Sequence, residues 1–249
     1  MPSIYISPST QEYNEFVGGG NDEYYMNQIV DAMEPYLIAC GIDFQRNNPE
    51  NTLSKTISES NSGNYDLHLS LHSNASPETL SGLLQGADFY YFTRSMKGRD
   101  AASVLADNFM SIYPDPSKVK IMPTTGLAEV GRTRAPAVLA EIAYHDNPSD
   151  ATWMTQNIDM IGKNLTQGLA EYFQKDFVDL FEDAQPQTGI VTTESTNLNI
   201  RARPSTSSEV LTQAPKGAEL KVYSTAGLWY LVEYNGVLGF AYSKYITLA

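Results

Sequence analysis

The chain reads as an α/β sandwich around a mostly parallel sheet, followed by a small all-β barrel. Two observations predict this. Helical and strand patterns alternate up to about residue 180, the pattern of a layered α/β domain. Beyond a polar stretch at residues 181–189, only short strands separated by turn residues remain. The expected organisation is therefore a domain over 1–180, a linker over 181–189 and a second domain over 190–249.

The elements follow in order. In "EYYMNQIVDAMEPYLIACG", Met26, Ile29, Met33 and Leu37 recur at helical spacing, and the pattern stops at Gly41, where a left-handed cap favours glycine. Pro35 should kink this helix without ending it. "DLHLSLHSN", "GADFYYFT" and "APAVLAEIAYH" read as strands, whereas "GRDAASVLADNFMSIYP" and "MIGKNLTQGLAEYFQKDF" read as helices. In the linker, Gln185, Pro186, Gln187, Thr188 and Gly189 neither extend a helix nor build a core. "LNIRARPS", "ELKVYST", "LWYLVEY" and "LGFAY" are then short strands, with turns at Pro204, Gly217, Gly227 and Asn235-Gly236.

At 249 residues and 42% hydrophobic, the chain can bury a substantial core. No apolar run approaches the roughly 20 residues that span a bilayer, and "MPSIYISPST" has neither a basic nor an apolar leader region. The net charge of −13 opposes a nucleic-acid partner, whose phosphates require a basic surface. The charge is uneven: Arg201, Arg203, Lys216, Lys221 and Lys244 against Glu194, Glu209, Glu219 and Glu233 give residues 190–249 a charge of +1, so the remainder carries −14. The lone cysteine, Cys40, excludes an intramolecular disulfide and falls among Met33, Leu37 and Ile38 as a buried apolar residue.

Two strands carry candidate chemistry. Alternation places His68, Ser70 and His72 on one face of "DLHLSLHSN". In "APAVLAEIAYH" it places Ala137, Leu139, Glu141, Ala143 and His145 together. A carboxylate amid such apolar neighbours is costly to bury without a partner. The partner is a metal-bound water, a substrate amine or, structurally, Arg132 or Arg134. His68, four residues before His72 on the same face, is expected to be a packed, hydrogen-bonded core residue. Trp229, Tyr230 and Tyr242 offer stacking surface, although aromatics in so small a barrel are more often core.

"LNIRARPSTSSEV", "KGAELKV", "WYLVEYNGVLGF" and "YSKYI" resemble a bacterial SH3 (SH3b) domain along nearly the whole second domain. That resemblance implies an SH3-like barrel that binds the cell wall. "YISPSTQEYN", "NDEYYMN", "LSLHSNA" and "PAVLAEIAYHDNPSDA" resemble, in order, the motifs of the zinc-dependent N-acetylmuramoyl-L-alanine amidases of the Amidase_3 type. The resemblance implies a twisted sheet flanked by helices on both faces, with His72 and Glu23 as ligands to one zinc ion and Glu141 as the catalytic carboxylate. Glu23 is preferred to Asp22 because it lies four residues before Asn27. The first motif departs from the family, because its loop lacks a histidine. Gln11 is the favoured replacement ligand; Glu12, His145 or no third protein ligand are the alternatives. Asn74, His145 and Arg134 complete the expected site as substrate-binding residues.

The implied function is hydrolysis of the amide between N-acetylmuramic acid and L-alanine of the stem peptide. The expected partners are peptidoglycan and muropeptides, with no nucleic acid and no membrane span, and the chain is expected to act as a monomer. An extracellular or wall-associated location follows, reached from a trimmed form, by non-classical release or as a phage lysin. Two other readings remain: a non-catalytic wall-binding protein on a degenerate amidase fold, and a zinc peptidase acting on stem peptides.

Overall fold

A computed structural model describes residues 1–180 and 185–249. They form two compact units: residues 1–33 with 42–176, and residues 34–41 with 177–249.

The first unit is built on a six-stranded sheet. Its strands are β1 (Ser3–Pro8), β2 (Asp43–Arg46), β3 (Leu67–Asn74), β4 (Ala87–Phe92), β5 (Val119–Thr124) and β6 (Ala137–Tyr144), in the order β2-β1-β3-β6-β4-β5. All pairings are parallel except β4 with β6, so the sheet is mixed but mostly parallel, as expected. Six helices accompany it: α1 (Asp22–Ala39), α2 (Leu53–Ser62), α3 (Met96–Phe109), α4 (Ala128–Arg132), α5 (Pro148–Gln156) and α6 (Ile158–Tyr172). The strand pleat decides which layer each side chain meets. On one face, Phe89 of β4 meets Phe109 of α3 edge to face. On the other, His68 of β3 meets Ser60 of α2 and Glu129 of α4.

Close approach between helices depends on small residues. A Cβ on Gly162 would lie 2.7 Å from Ala32, so only glycine lets α6 pack this tightly on α1. α1 continues through Pro35, and Gly41 follows it at φ +67°, the left-handed conformation its position predicted. Pro35 stands at the start of the segment 34–41 that belongs to the second unit.

The second unit contains a seven-stranded antiparallel sheet. β7 (Gln187–Val191), β8 (Leu198–Arg201), β9 (Val210–Ala214), β10 (Glu219–Ala226), β11 (Trp229–Tyr234), β12 (Val237–Tyr242) and β13 (Ile246–Leu248) are ordered β13-β7-β10-β11-β12-β8-β9. Val191, Leu198, Ile200, Leu220, Val222, Val232 and Ile246 fill its interior. The β11–β12 turn is Asn235-Gly236, both at positive φ, which suits the right-handed twist of a tight hairpin. A second cluster unites Tyr36, Leu180, Ala226, Trp229, Leu231 and Phe240. Residues 177–180, read from sequence as the end of the first domain, thus pack in the second unit. Of the expected linker, 181–184 lie outside the described residues, and Gln187–Gly189 open β7. Gly189 does so because its missing side chain admits Ile246 and Val222, each 2.7 Å from where a Cβ would stand.

Candidate active site

The parallel strands β1, β3 and β6 end side by side, and the loop after β1 returns the chain to the start of α1. Gly18, Gly19 and Gly20 all have positive φ, and the Asp22 amide donates to the Asn14 carbonyl at 2.9 Å, closing that loop. Asp22 is thereby fully buried at the strand ends. The site lies at the carboxyl ends of the parallel strands, where α/β sheets generally place ligands.

His72 is the hub. Its Nδ1 lies 3.3 Å from Asp22 Oδ2 and its Nε2 3.5 Å from Glu129 Oε2. Burial alone would lower its pKa. Hydrogen bonds to Asp22 and Glu129, with the charges of Asp22 and Glu141, outweigh burial and raise it to about 10. Asp22 is committed elsewhere as well, because its Oδ1 accepts from the Ser73 amide at 2.8 Å and the Ser73 hydroxyl at 2.7 Å. Glu129 is 4% exposed and accepts from the Ser7 hydroxyl at 2.6 Å and from the Ser70 hydroxyl. Burial would raise its pKa, but His68 and His72 overcome that and hold it well below the usual carboxylate range.

Glu141 is the strand partner of His72 across β3 and β6. Burial pushes its pKa up to about 7, against the pull of His72 and with added repulsion from Asp22 and Asp88. Among the described residues its Oε2 is buried with no hydrogen-bond partner, and no pairing with Arg132 or Arg134 is found. A cavity of about 360 Å³ opens here, and Gln11, His72, Asn74, Glu129 and Glu141 line it. Asn47 Oδ1 and Thr56 Oγ1, also on its wall, are likewise buried without partners. Polar atoms left unsatisfied inside a cavity mark places a ligand can complete.

The structure places the sequence-derived residues as follows. Gln11 lines the cavity, its Oε1 accepting from Asn14 at 2.5 Å. Glu23 is partly buried beside Asp22 but does not line the cavity; burial first, then Glu12 and Glu50, raise its pKa. Asn74 is on the rim and donates to Asp88 at 3.1 Å. His145 is buried, stacked on Phe16 and joined to the Ser73 hydroxyl at 3.0 Å, so it stands behind the site and not on its rim. Arg134 is exposed and donates to the Asn61 carbonyl, away from the cavity. His68 is fully buried, bonded to Ser60 and stacked on Tyr5, the packed role its position implied.

Asp22, Glu129, Asn47 and Thr56 were not singled out from the sequence as site residues. Asp22 carried a signal, one position from Glu23. Glu129 carried none, since "GLAEVGRT" has no pattern that aims its side chain beneath β3.

The donors present fit a zinc ion in kind: imidazole, the first-turn carboxylates of α1, and the Gln11 amide oxygen, beside the partnerless Oε2 of Glu141. The two ring nitrogens of His72 diverge, so an ion bound to one would leave the other to its carboxylate, a common arrangement for a metal-bound histidine. Among the described residues no group of three His, Cys, Asp or Glu is arranged to hold an ion.

Comparison with known proteins agrees with both halves of the chain. The family model for N-acetylmuramoyl-L-alanine amidase matches residues 10–171, and that for the bacterial SH3 domain matches residues 196–247. No curated protein matches. Among solved structures, the N-acetylmuramoyl-L-alanine amidase AmiC2 of Nostoc punctiforme is similar at TM-score 0.62 and 14% identity, over 70% of this chain and 97% of that one. An N-acetylmuramoyl-L-alanine amidase from Clostridium difficile 630 is similar at 0.61 and 16%, over 70% and 97%. The catalytic domain of CwlV, from Bacillus (Paenibacillus) polymyxa var. colistinus, is similar at 0.60 and 15%, over 71% and 100%. Members of this family generally depend on zinc. The chain belongs to the N-acetylmuramoyl-L-alanine amidase family and is a peptidoglycan amidase with a C-terminal bacterial SH3 domain.

Proposed function

We propose that Glu141 is the general base and acid of this amidase, and that His72, Glu23 and Gln11 hold one zinc ion. The observation that carries this reading is the Oε2 of Glu141, buried without a partner in the cavity that His72 also lines. Glu23 is taken as the ligand for its place four residues before Asn27, and it must turn in to reach an ion, since it lies outside the cavity lining while Asp22 Oδ2 faces His72 Nδ1. The chemistry supplied by zinc when bound is Lewis-acid activation of water and polarisation of the scissile carbonyl. With a pKa near 7, Glu141 is poised to take a proton from the attacking water and return it to the departing amine. The C–N bond breaks as the C–O bond forms, and L-alanine leaves with a protonated N-terminus. Asn74, on the rim, contacts the substrate; His145 and Arg134, outside the cavity lining, take no part in that contact.

The SH3 domain tethers the enzyme to the wall, and the enzyme works outside the cell. Among the described residues no helix is long and apolar enough to cross a membrane. Zinc titration of the chelator-treated chain tests the ligand set. One equivalent should bind, with affinity falling at least tenfold in Glu23→Gln and lost in His72→Ala. Unchanged affinity in both variants would refute the assignment.

A further inference from the structure

The proton transfer assigned to Glu141 leaves one wall of the same cavity without a task, the wall formed by Asn47 and Thr56, which are 5% and 2% exposed. Asn47 directly follows β2, and its backbone amide donates to the Ile6 carbonyl of β1 at 3.1 Å. Its side-chain Nδ2 donates to the Pro8 carbonyl at 3.0 Å. That bond fixes the side-chain amide, because turning it over would set carbonyl against carbonyl. Asn47 Oδ1 is therefore an acceptor held in place, and among the described residues it has no donor. Thr56, on α2, has a hydroxyl equally without a partner. Each group is costly to leave unsatisfied, and a ligand in the cavity completes both.

The rest of the lining decides what that ligand is. No lysine or arginine lines the cavity, so a carboxylate finds no counter-ion there. Glu129 is engaged by Ser7, Ser70 and His72, and Glu141 stands three strands away in the order β2-β1-β3-β6, so an ammonium finds no free carboxylate beside Asn47. What remains is a neutral group with an N–H for Asn47 Oδ1 and a carbonyl for the Thr56 hydroxyl. Leu53, one turn before Thr56 on α2, also lines the cavity and is half exposed, which offers an apolar contact to a methyl. N–H, carbonyl and methyl together describe an acetamido group. At about 4.8 Å per strand, Asn47 lies about 10 Å from the strand of His72, a span that one sugar ring and its substituents bridge.

We infer that Asn47 and Thr56 are specificity-determining residues that read the acetamido group of the muramoyl sugar, Asn47 Oδ1 accepting its N–H and Thr56 donating to its carbonyl. This deepens the amidase reading of the cavity and rests on it. The sugar then lies over the ends of β2 and β1, and the peptide leaves on the far side of Glu141, past Asn74 and Asp88. Asp88 is the strand partner of Glu141 across β4 and β6 and feels the charge of Lys120, so charged groups stand where the peptide passes and neutral ones where the sugar sits. An enzyme built this way discriminates against muramoyl sugars that lack the acetyl group.

The test measures binding to the full chain carrying Glu141→Gln, which leaves its ligands uncleaved. The probes are N-acetylmuramoyl-L-Ala-D-isoglutamine, the same molecule with a hydroxyl in place of the acetamido group, and D-lactoyl-L-Ala-D-isoglutamine, which has no sugar. By calorimetry the first should bind at least tenfold more tightly than either of the others, because a site built to hydrogen-bond a group rejects the analogue that lacks it. Thr56→Val and Asn47→Ala, each added to that chain, should shrink the ratio at least threefold, and both together should bring it near one. A ratio taken on one preparation does not depend on the folded fraction, so a destabilised variant still reports. Equal binding of the acetamido and hydroxyl forms, or a ratio unchanged in both variants, would overturn the proposal. Release of L-alanine N-termini by the zinc-supplied parent separates the two levels: no release beside a preserved ratio refutes the amidase reading of the cavity and leaves the acetamido contact standing, whereas release without any ratio refutes that contact alone.

Discussion

Glu129 holds the site together from below, and Glu129→Gln should show it. Its carboxylate accepts from Ser7 and Ser70 and faces Nε2 of both His68 and His72. The amide keeps the shape but loses the charge and presents donors to donors. Removing one member of a buried ionic cluster costs about 3–5 kcal/mol. For a unit of this size that corresponds to a melting-temperature loss of about 6–20 °C. The charge state gives a second readout. The pKa of His72 is raised from 6.5 to about 10 in the folded protein, so its stabilisation is complete below pH 6.5 and is lost as pH rises through 10. At about 1.4 kcal/mol per pKa unit, the metal-free parent should lose up to roughly 5 kcal/mol across that window. The variant should show a shallower decline, since only Asp22 and Glu141 remain to favour the imidazolium. Urea unfolding in the presence of chelator, repeated from pH 6 to 10, measures both. A loss below about 1 kcal/mol at pH 6.5 with an unchanged pH slope would refute the role assigned to Glu129.

Other outcomes follow from single positions. Gly189→Ala places a methyl 2.7 Å from both Ile246 and Val222, so the SH3 domain should lose about 1–3 kcal/mol by calorimetry; no loss would mean that β7 shifts freely. Thr56→Val removes a partnerless buried hydroxyl on the cavity wall, so stability should hold or rise while KM for muropeptides increases; an unchanged KM would take Thr56 out of substrate binding. Cys40 is 7% exposed and burial raises its thiol pKa, so alkylation at pH 8 should be far slower in the native chain than in urea; equal rates would show that α1 opens at its end.

The alternation of patterns was enough to show the mixed sheet, the barrel and their order, because strand and helix periods differ so plainly in "DLHLSLHSN" and "EYYMNQIVDAM". β7 was missed because Gln187, Thr188 and Gly189 look like linker residues; their strand comes from pairing with β10 and β13, which no local pattern encodes. Glu141 and His72 were visible as polar residues where alternation turns them to one face of the sheet, and the structure makes them strand partners. Asp22 and Glu129 were not, since each reaches His72 only through tertiary folding, across 50 and 57 positions of sequence. His145 and Arg134 resembled rim residues from sequence, but alternation cannot say how far a strand end is covered. Phe16 and the loop after β1 cover His145, while Asn61 draws Arg134 aside.

The central claim is that Glu141 moves the proton. Glu141→Gln preserves shape and removes the acceptor, so it is measured three ways on one preparation: melting temperature, zinc affinity, and release of new L-alanine N-termini from muropeptides. A catalytic Glu141 predicts unchanged melting and zinc binding with turnover down roughly 10²- to 10⁴-fold. Turnover within a few fold of the parent, or a loss that merely tracks the unfolded fraction, would contradict it.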